Sequence, residues 1–192
     1  WALLEQVRLH PERPELHLRL GSLQLRRGDR DSTDAAFRKY VAKSTDKVRA
    51  LHAVATRYRR ANDYDAALAA YRRIREVAPG DPRFLQYTAD IYRSRQAEGD
   101  RERAAKLYDA LLGGAGADDV DLGKLGHQLY LGQYYAQAAA AYERLLGGAT
   151  LRGLYALELA VSHLKLGRVE RAREVFDAWL EGEGGEARSH LE

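Results

Sequence analysis

The sequence predicts an all-α fold, an α-solenoid built from antiparallel helix pairs, on the strength of three observations. Small residues recur at Gly21, Ala55, Ala89, Gly126 and Ala160, with steps of 34, 34, 37 and 34. A second series, Thr33, Ala67, Ala104, Ala138 and Ala172, is followed four residues later by an aromatic each time: Phe37, Tyr71, Tyr108, Tyr142 and Phe176. The residues around both series fall at helical spacing, most clearly in 48–81, where Leu51, Val54, Ala55 and Tyr58 line one helix and Ala67, Tyr71 and Ile74 the next. A helical hairpin repeating at about 34 residues cannot bury its apolar face alone and must stack on its neighbours.

Taken in order, residues 1–13 read as the second helix of a truncated repeat, because Pro11 stands 34 residues before Thr45 and 68 before Pro79. Repeat 1 (14–47) carries Leu20, Gly21 and Gln24 on its first helix. Gly28 marks its turn, and Thr33, Phe37 and Tyr40 lie on its second helix; Thr at a small position weakens the match. Repeat 2 (48–81) closes at Pro79-Gly80-Asp81-Pro82, which ends one helix and starts the next, since Pro is tolerated in a first helical turn. Repeat 3 (82–118) holds Leu85, Thr88, Ala89 and Tyr92, but the spacing from Ala89 to Ala104 is 15 where the other repeats have 12. Three residues are therefore inserted in the turn around Arg95 to Asp100.

The stretch Gly113 to Ala117 predicts a helix stop and loop, with Asp118 or Asp119 capping the next helix. Repeat 4 (119–152) carries Leu122, Leu125, Gly126 and Leu129, then Ala138, Tyr142 and Leu145, and stops at Gly147-Gly148. Repeat 5 (153–186) carries Leu159, Ala160 and His163, the turn Gly167, then Ala172, Phe176 and Trp179 before the Gly-rich 182–185. Residues 187–192 are a tail. The whole of 1–192 is expected to form a single array.

This pattern resembles the tetratricopeptide repeat. Repeat 2 matches it at Leu51, Val54, Ala55, Tyr58, Ala67, Tyr71 and Pro79, and the resemblance covers nearly the whole chain. Small residues let the two helices of a hairpin approach closely, and the aromatic fills the space toward the next repeat. The large residues Tyr40, Ile74, Leu111, Leu145 and Trp179 stand where the family usually has a small one. The resemblance implies a right-handed superhelix whose concave groove binds peptides or partner helices. Carried over position by position, the groove is lined by Arg49, His52, Thr56 and Arg59, then Arg83, Gln86, Asp90 and Arg93, a basic half. Val120, Gly123, His127 and Tyr130, then Leu154, Leu157, Val161 and Leu164, make an apolar and aromatic half. The two-carboxylate clamp of chaperone-binding members does not fit, because Leu18 and Ser22 occupy its first two positions.

Composition supports a folded chain: 45% hydrophobic, 31% charged, 12 Tyr and only 4 Pro. With no Cys, disulfides, thiolate metal sites and Cys nucleophiles are excluded. No apolar run approaches the roughly 20 residues that span a bilayer, so no membrane insertion is expected. The N-terminal residues lack a signal-peptide pattern, and the absence of Met points to a start within a longer protein, bacterial by its Arg- and Ala-rich composition. Localisation, cytoplasmic or periplasmic, is not readable. The net charge of +3 divides unevenly, into +8 over residues 1–96 (20 basic, 12 acidic) and −5 over 97–192 (11 basic, 16 acidic).

Catalytic and cofactor chemistry find no support. The six His residues have no ligand spacing, Asp118, Asp119 and Asp121 read as helix caps rather than a calcium loop, and Gly113, Gly114 and Gly116 form no phosphate loop. No cofactor and no metal are expected. The favoured reading is a non-enzymatic protein-protein interaction scaffold whose partner is a protein or peptide, acidic with apolar anchors. A nucleic-acid-binding helical repeat is the alternative, disfavoured because Tyr58, Tyr71 and Tyr92 stand at packing positions and the C-terminal half is acidic. Self-association, the positive end of one copy meeting the negative end of another, is the third reading.

Overall fold

The computed structural model describes residues 2–79, 81–114, 120–146 and 153–189, with the backbone alone at 146 and 182–189. The described residues form eleven helices and no strand. They gather into two compact units, Trp1–Arg101 and Glu102–Glu192.

The first unit contains α1 (Ala2–Leu9), α2 (Pro14–Arg27), α3 (Arg30–Lys43), α4 (Lys47–Arg60), α5 (Tyr64–Val77) and α6 (Pro82–Arg95). Short turns join α2 to α3 and α4 to α5 as antiparallel hairpins, and α3 packs on α4 and α5 on α6. Aspartate punctuates this stretch. Asp29, Asp46, Asp63 and Asp81 each cap a helix by accepting from a backbone N–H of its first turn, Pro82 follows Asp81 as the first helical residue, and Gly28 ends α2 with φ 77°. The three-residue insertion forms the turn from Gln96 to Gly99, both of which have left-handed backbones (φ 55° and 74°).

The core of this unit runs through Phe37, Leu51, Val54, Tyr58, Ala67, Tyr71, Ile74 and Ile91. Its packing explains the small-residue series. A Cβ on Gly21 would lie 2.4 Å from the Phe37 ring, so the aromatic sits directly over the small position of its own hairpin. From there Phe37 reaches the following repeat, meeting Tyr58 edge-on at 5.2 Å. Thr33, where the repeat has Ala, is fully buried without penalty because its hydroxyl donates to the Asp29 carbonyl at 2.7 Å.

An ion-pair cluster holds the inserted turn. Arg95 donates to both carboxylate oxygens of Asp100 at 2.8 and 2.7 Å and to Asp65 at the start of α5, and Ala97 N–H donates to Asp100 at 3.0 Å. Asp100 is only 1% exposed, and these donors offset the cost of burying its charge.

The second unit contains most of α7 (Asp100–Gly113), then α8 (Leu122–Leu131), α9 (Tyr135–Leu146), α10 (Leu154–Lys165) and α11 (Val169–Ser189). Here α8 pairs with α9 and α10 with α11, while α10 also packs on α9 and α8. The same device recurs: a Cβ on Gly126 would meet the Tyr142 ring at 2.6 Å, and Tyr142 stacks on Tyr155 at 5.4 Å. Helix α7 is held by Tyr108 edge-on to Tyr134 at 5.6 Å, by Gln137 donating to Asp109 at 2.9 Å, and by Arg144 donating to the Leu112 carbonyl at 2.6 Å.

Two local expectations differ from the structure. Asp118 and Asp119 lie outside the described residues, as do Ala115 to Ala117 and Gly147-Gly148; the cap of α8 is Asp121, which accepts from Lys124 N–H at 3.0 Å. The Gly-rich 182–185 does not end α11, which continues to Ser189. Once a helix is nucleated on a packed segment, each added residue gains a backbone hydrogen bond, and this propagation carries it past glycines.

Candidate functional site

The first-helix positions predicted to line a groove fall on α4 and α6 in the first unit and on α8 and α10 in the second, except Val120, which precedes α8 and its cap Asp121. On α4, Arg49 and Arg59 are exposed and Thr56 is half-buried. His52 is half-buried and is held by packing: its Nδ1 is 3.1 Å from the Tyr71 hydroxyl, and its ring stacks on Tyr87 at 4.8 Å with Phe84 at 6.0 Å. Burial, together with the positive charges of Arg59 and Arg83, keeps the His52 pKa below the ordinary imidazole value. Burial also pushes the Tyr71 hydroxyl up to about 12, so it remains a donor at neutral pH. His52 therefore joins α4 to α5 and α6.

On α6 the positive charge is partly answered from within. Arg83 is exposed and paired with Asp81 at 2.6 Å, and half-buried Arg93 lies 3.6 Å from Asp90. Gln86 and Asp90 are half-buried. Arg49 and Arg59 have no carboxylate within ion-pair distance among the described residues, so the unanswered charge of this face sits on α4. The sequence treats all four arginines alike; the pairings with Asp81 and Asp90 separate them.

In the second unit, Leu154, Leu157 and Leu164 are 55%, 43% and 46% exposed, and Val161 lies half-buried between them. Their spacing of three, four and three residues places all four on one stripe of α10. Val120 is half-buried; Gly123 is buried, and a Cβ there would meet the Tyr155 hydroxyl at 2.8 Å. Tyr130 packs edge-on to Tyr135 at 6.0 Å. His127 turns its Nδ1 toward Glu158 Oε1 at 2.8 Å, and Glu158, itself 3% exposed, also accepts from the Tyr142 hydroxyl.

That buried carboxylate was not anticipated from sequence. Glu158 occupies an apolar helix, and its only sequence signal is a charge where neighbouring residues are Leu and Ala. Neither His127 nor Glu158 belongs to a larger ligand cluster: among the described residues no group of three or more His, Cys, Asp or Glu could hold a metal ion. No helix among them is long and apolar enough to cross a membrane.

Two family models described as tetratricopeptide repeat match the chain, at residues 48–91 and 127–187. No curated protein matches it. Among solved structures, the chain is similar to the MamA protein, with a TM-score of 0.54 and 15% identity over 91% of this chain and 94% of that one. It is also similar to a Podosopora anserina chain described as a kinesin light chain with nearly identical TPR-like repeats, with a TM-score of 0.51 and 16% identity over 88% and 94% of the two chains. At these identities the similarity speaks for the fold.

Proposed function

The chain belongs to the tetratricopeptide repeat family, and from that premise we propose that it is a non-catalytic protein-protein interaction scaffold that binds a peptide or helix on its first-helix faces. The apolar stripe on α10 carries this reading. Leu154, Leu157 and Leu164 stand about half exposed on a helix whose opposite face is packed, and contiguous exposed leucines on a repeat helix are better explained by a partner than by solvent. In the second unit the partner's apolar anchors meet Leu157, Val161 and Leu164, with His127 and Tyr130 as further contacts; in the first unit, taken by itself, Arg49 and Arg59 offer a place for acidic groups. Charge steers the encounter and apolar burial supplies affinity.

The test is selection of binding peptides from a displayed random library. Peptides selected on the α10 face should carry apolar residues at helical spacing. They should lose binding to the Leu157→Asp, Leu164→Asp double variant, whose far-ultraviolet helicity is unchanged because both side chains point to solvent. If no selected peptide loses binding to this double variant, the assignment of the face is overturned.

A further inference from the structure

We propose a second, separate site for acidic helical peptides, an arginine-lined cleft among α1, α2 and α4 of the first unit. The cleft has a volume of about 500 Å³ and is lined by Arg19 and Arg26 from α2 and Arg57 and Arg60 from α4, with Leu3 and Leu23 among the apolar side chains between them. No carboxylate lines it. None of the four guanidinium groups makes an ion pair among the described residues, although exposed arginines elsewhere on the chain find Asp or Glu.

Arg57 supplies the second observation. Its Nε is buried from solvent and has no hydrogen-bond partner. A charged group this poorly hydrated, with no acceptor of its own, is costly, and anionic oxygen in the cleft would offset that cost through charge attraction. Four positive charges around one cleft, none of them answered by a carboxylate, define a site for anionic oxygen.

The geometry selects a peptide as the source of that oxygen. Arg19 and Arg26 are seven residues apart, about 10.5 Å along the helix axis, with Leu23 between them on the same side. Arg57 and Arg60 are three apart on α4. The alternation suits a partner helix bearing carboxylates one and two turns apart around an apolar residue. Nucleic acid would want exposed aromatic faces for base stacking, and the cleft lining contains no aromatic. Arg59 stands about 100° around α4 from Arg60, and Arg49, on the same side as Arg60, lies eleven residues or about 16.5 Å back along the axis; neither lines the cleft. The site does not depend on the α10 stripe, and the two tests fail independently.

The experiment is a fluorescence-anisotropy titration of the full chain with a labelled peptide helix carrying Glu one and two turns apart and Leu between them. The wild-type chain should bind it at low salt. The triple variant Arg19→Gln, Arg26→Gln, Arg60→Gln replaces only exposed side chains, leaves Arg57 in place, and should weaken binding by at least about tenfold. Leu23→Asn should also weaken it, whereas Arg49→Gln with Arg59→Gln should weaken it less and Leu157→Asp with Leu164→Asp should not. Failure of the wild type to bind the peptide overturns the proposal, as does equal loss in the Arg49, Arg59 variant. Tighter binding of a single-stranded oligonucleotide of equal charge, lost steeply with salt, overturns it in favour of nucleic acid. Concentration-dependent dimerisation of the wild type that blocks the peptide and disappears in the triple variant overturns it in favour of a second copy of the chain.

Discussion

The imidazole Nδ1 of His127 lies 2.8 Å from Oε1 of Glu158, linking α8 to α10 through a carboxylate that is only 3% exposed. The other oxygen of Glu158 accepts from the Tyr142 hydroxyl, so one acid joins three helices. Replacing it with Ala strands a buried hydroxyl and should cost about 1–3 kcal/mol in a denaturant titration. Glu158→Gln, which keeps an acceptor in place, should cost less. If the Ala variant unfolds at the wild-type midpoint, the network contributes nothing to stability.

Gly126 and Gly113 offer a matched pair of glycines. Both lie in helices, where Ala is ordinarily better than Gly by about 1 kcal/mol. A Cβ at Gly126 would stand 2.6 Å from the Tyr142 ring, whereas one at Gly113 would have nothing within 4 Å. Gly126→Ala should therefore destabilise the chain by about 1–3 kcal/mol through overpacking, and Gly113→Ala should be neutral or stabilising. Thermal unfolding of the two variants decides this; equal shifts would mean that Tyr142 yields freely.

The repeat was readable in the sequence because this contact is periodic. Close approach of a small residue and an aromatic leaves the same two marks every 34 residues, and Gly21 beneath Phe37 or Gly126 beneath Tyr142 shows what the marks mean. Exposed positions on α10 were readable for the same reason, since the register that buries Leu159 and Ala160 turns Leu157 and Leu164 outward. Charge pairing between helices was not readable. Arg93 stands three residues after Asp90, a spacing that lets them meet on one helix face, but whether Arg95 reaches Asp65 thirty residues away depends on rotamers and inter-helix distances that no spacing rule encodes. The arginine cleft escaped for a related reason: Arg19 and Arg57 stand apart from the family's groove-lining positions, so the resemblance did not point at them.

Two buried groups should make stability fall on opposite sides of neutrality. His163 is 1% exposed with neither ring nitrogen hydrogen-bonded, and burial holds its pKa below the ordinary 6.5 despite Glu143 nearby at 3.4 Å. The unfolded chain then binds a proton that the folded chain refuses, so the stability present above about 6.5 is lost as pH falls through the folded pKa. Tyr71 is the reverse. With its pKa pushed up from 10.0 to about 12 by burial, the folded chain keeps a proton that the unfolded chain releases, so stability present below 10 declines between 10 and about 12. Unfolding midpoints across pH should trace both slopes. His163→Leu should flatten the acid one, and an unchanged acid slope in that variant would assign it to other groups.

The arginines of the first-helix faces should not contribute equally to binding an acidic partner. Arg93 lies 3.6 Å from Asp90 and Arg83 lies 2.6 Å from Asp81, so a partner carboxylate must compete with an acid already in place. Arg59 has no such competitor among the described residues. Arg59→Glu with Arg93→Glu should abolish capture of an acidic partner on this face while leaving helicity unchanged. Of the single variants, Arg59→Glu should weaken capture more, because it removes the unanswered charge and adds a repulsive one. Arg59→Glu should also raise the pKa of His52, whose depression Arg59 shares with burial and with Arg83. Imidazole proton shifts followed by NMR across pH give that second readout without any partner. Equal losses from the two single variants, or a His52 titration that does not move, would show that Arg59 does not dominate the charge of this face.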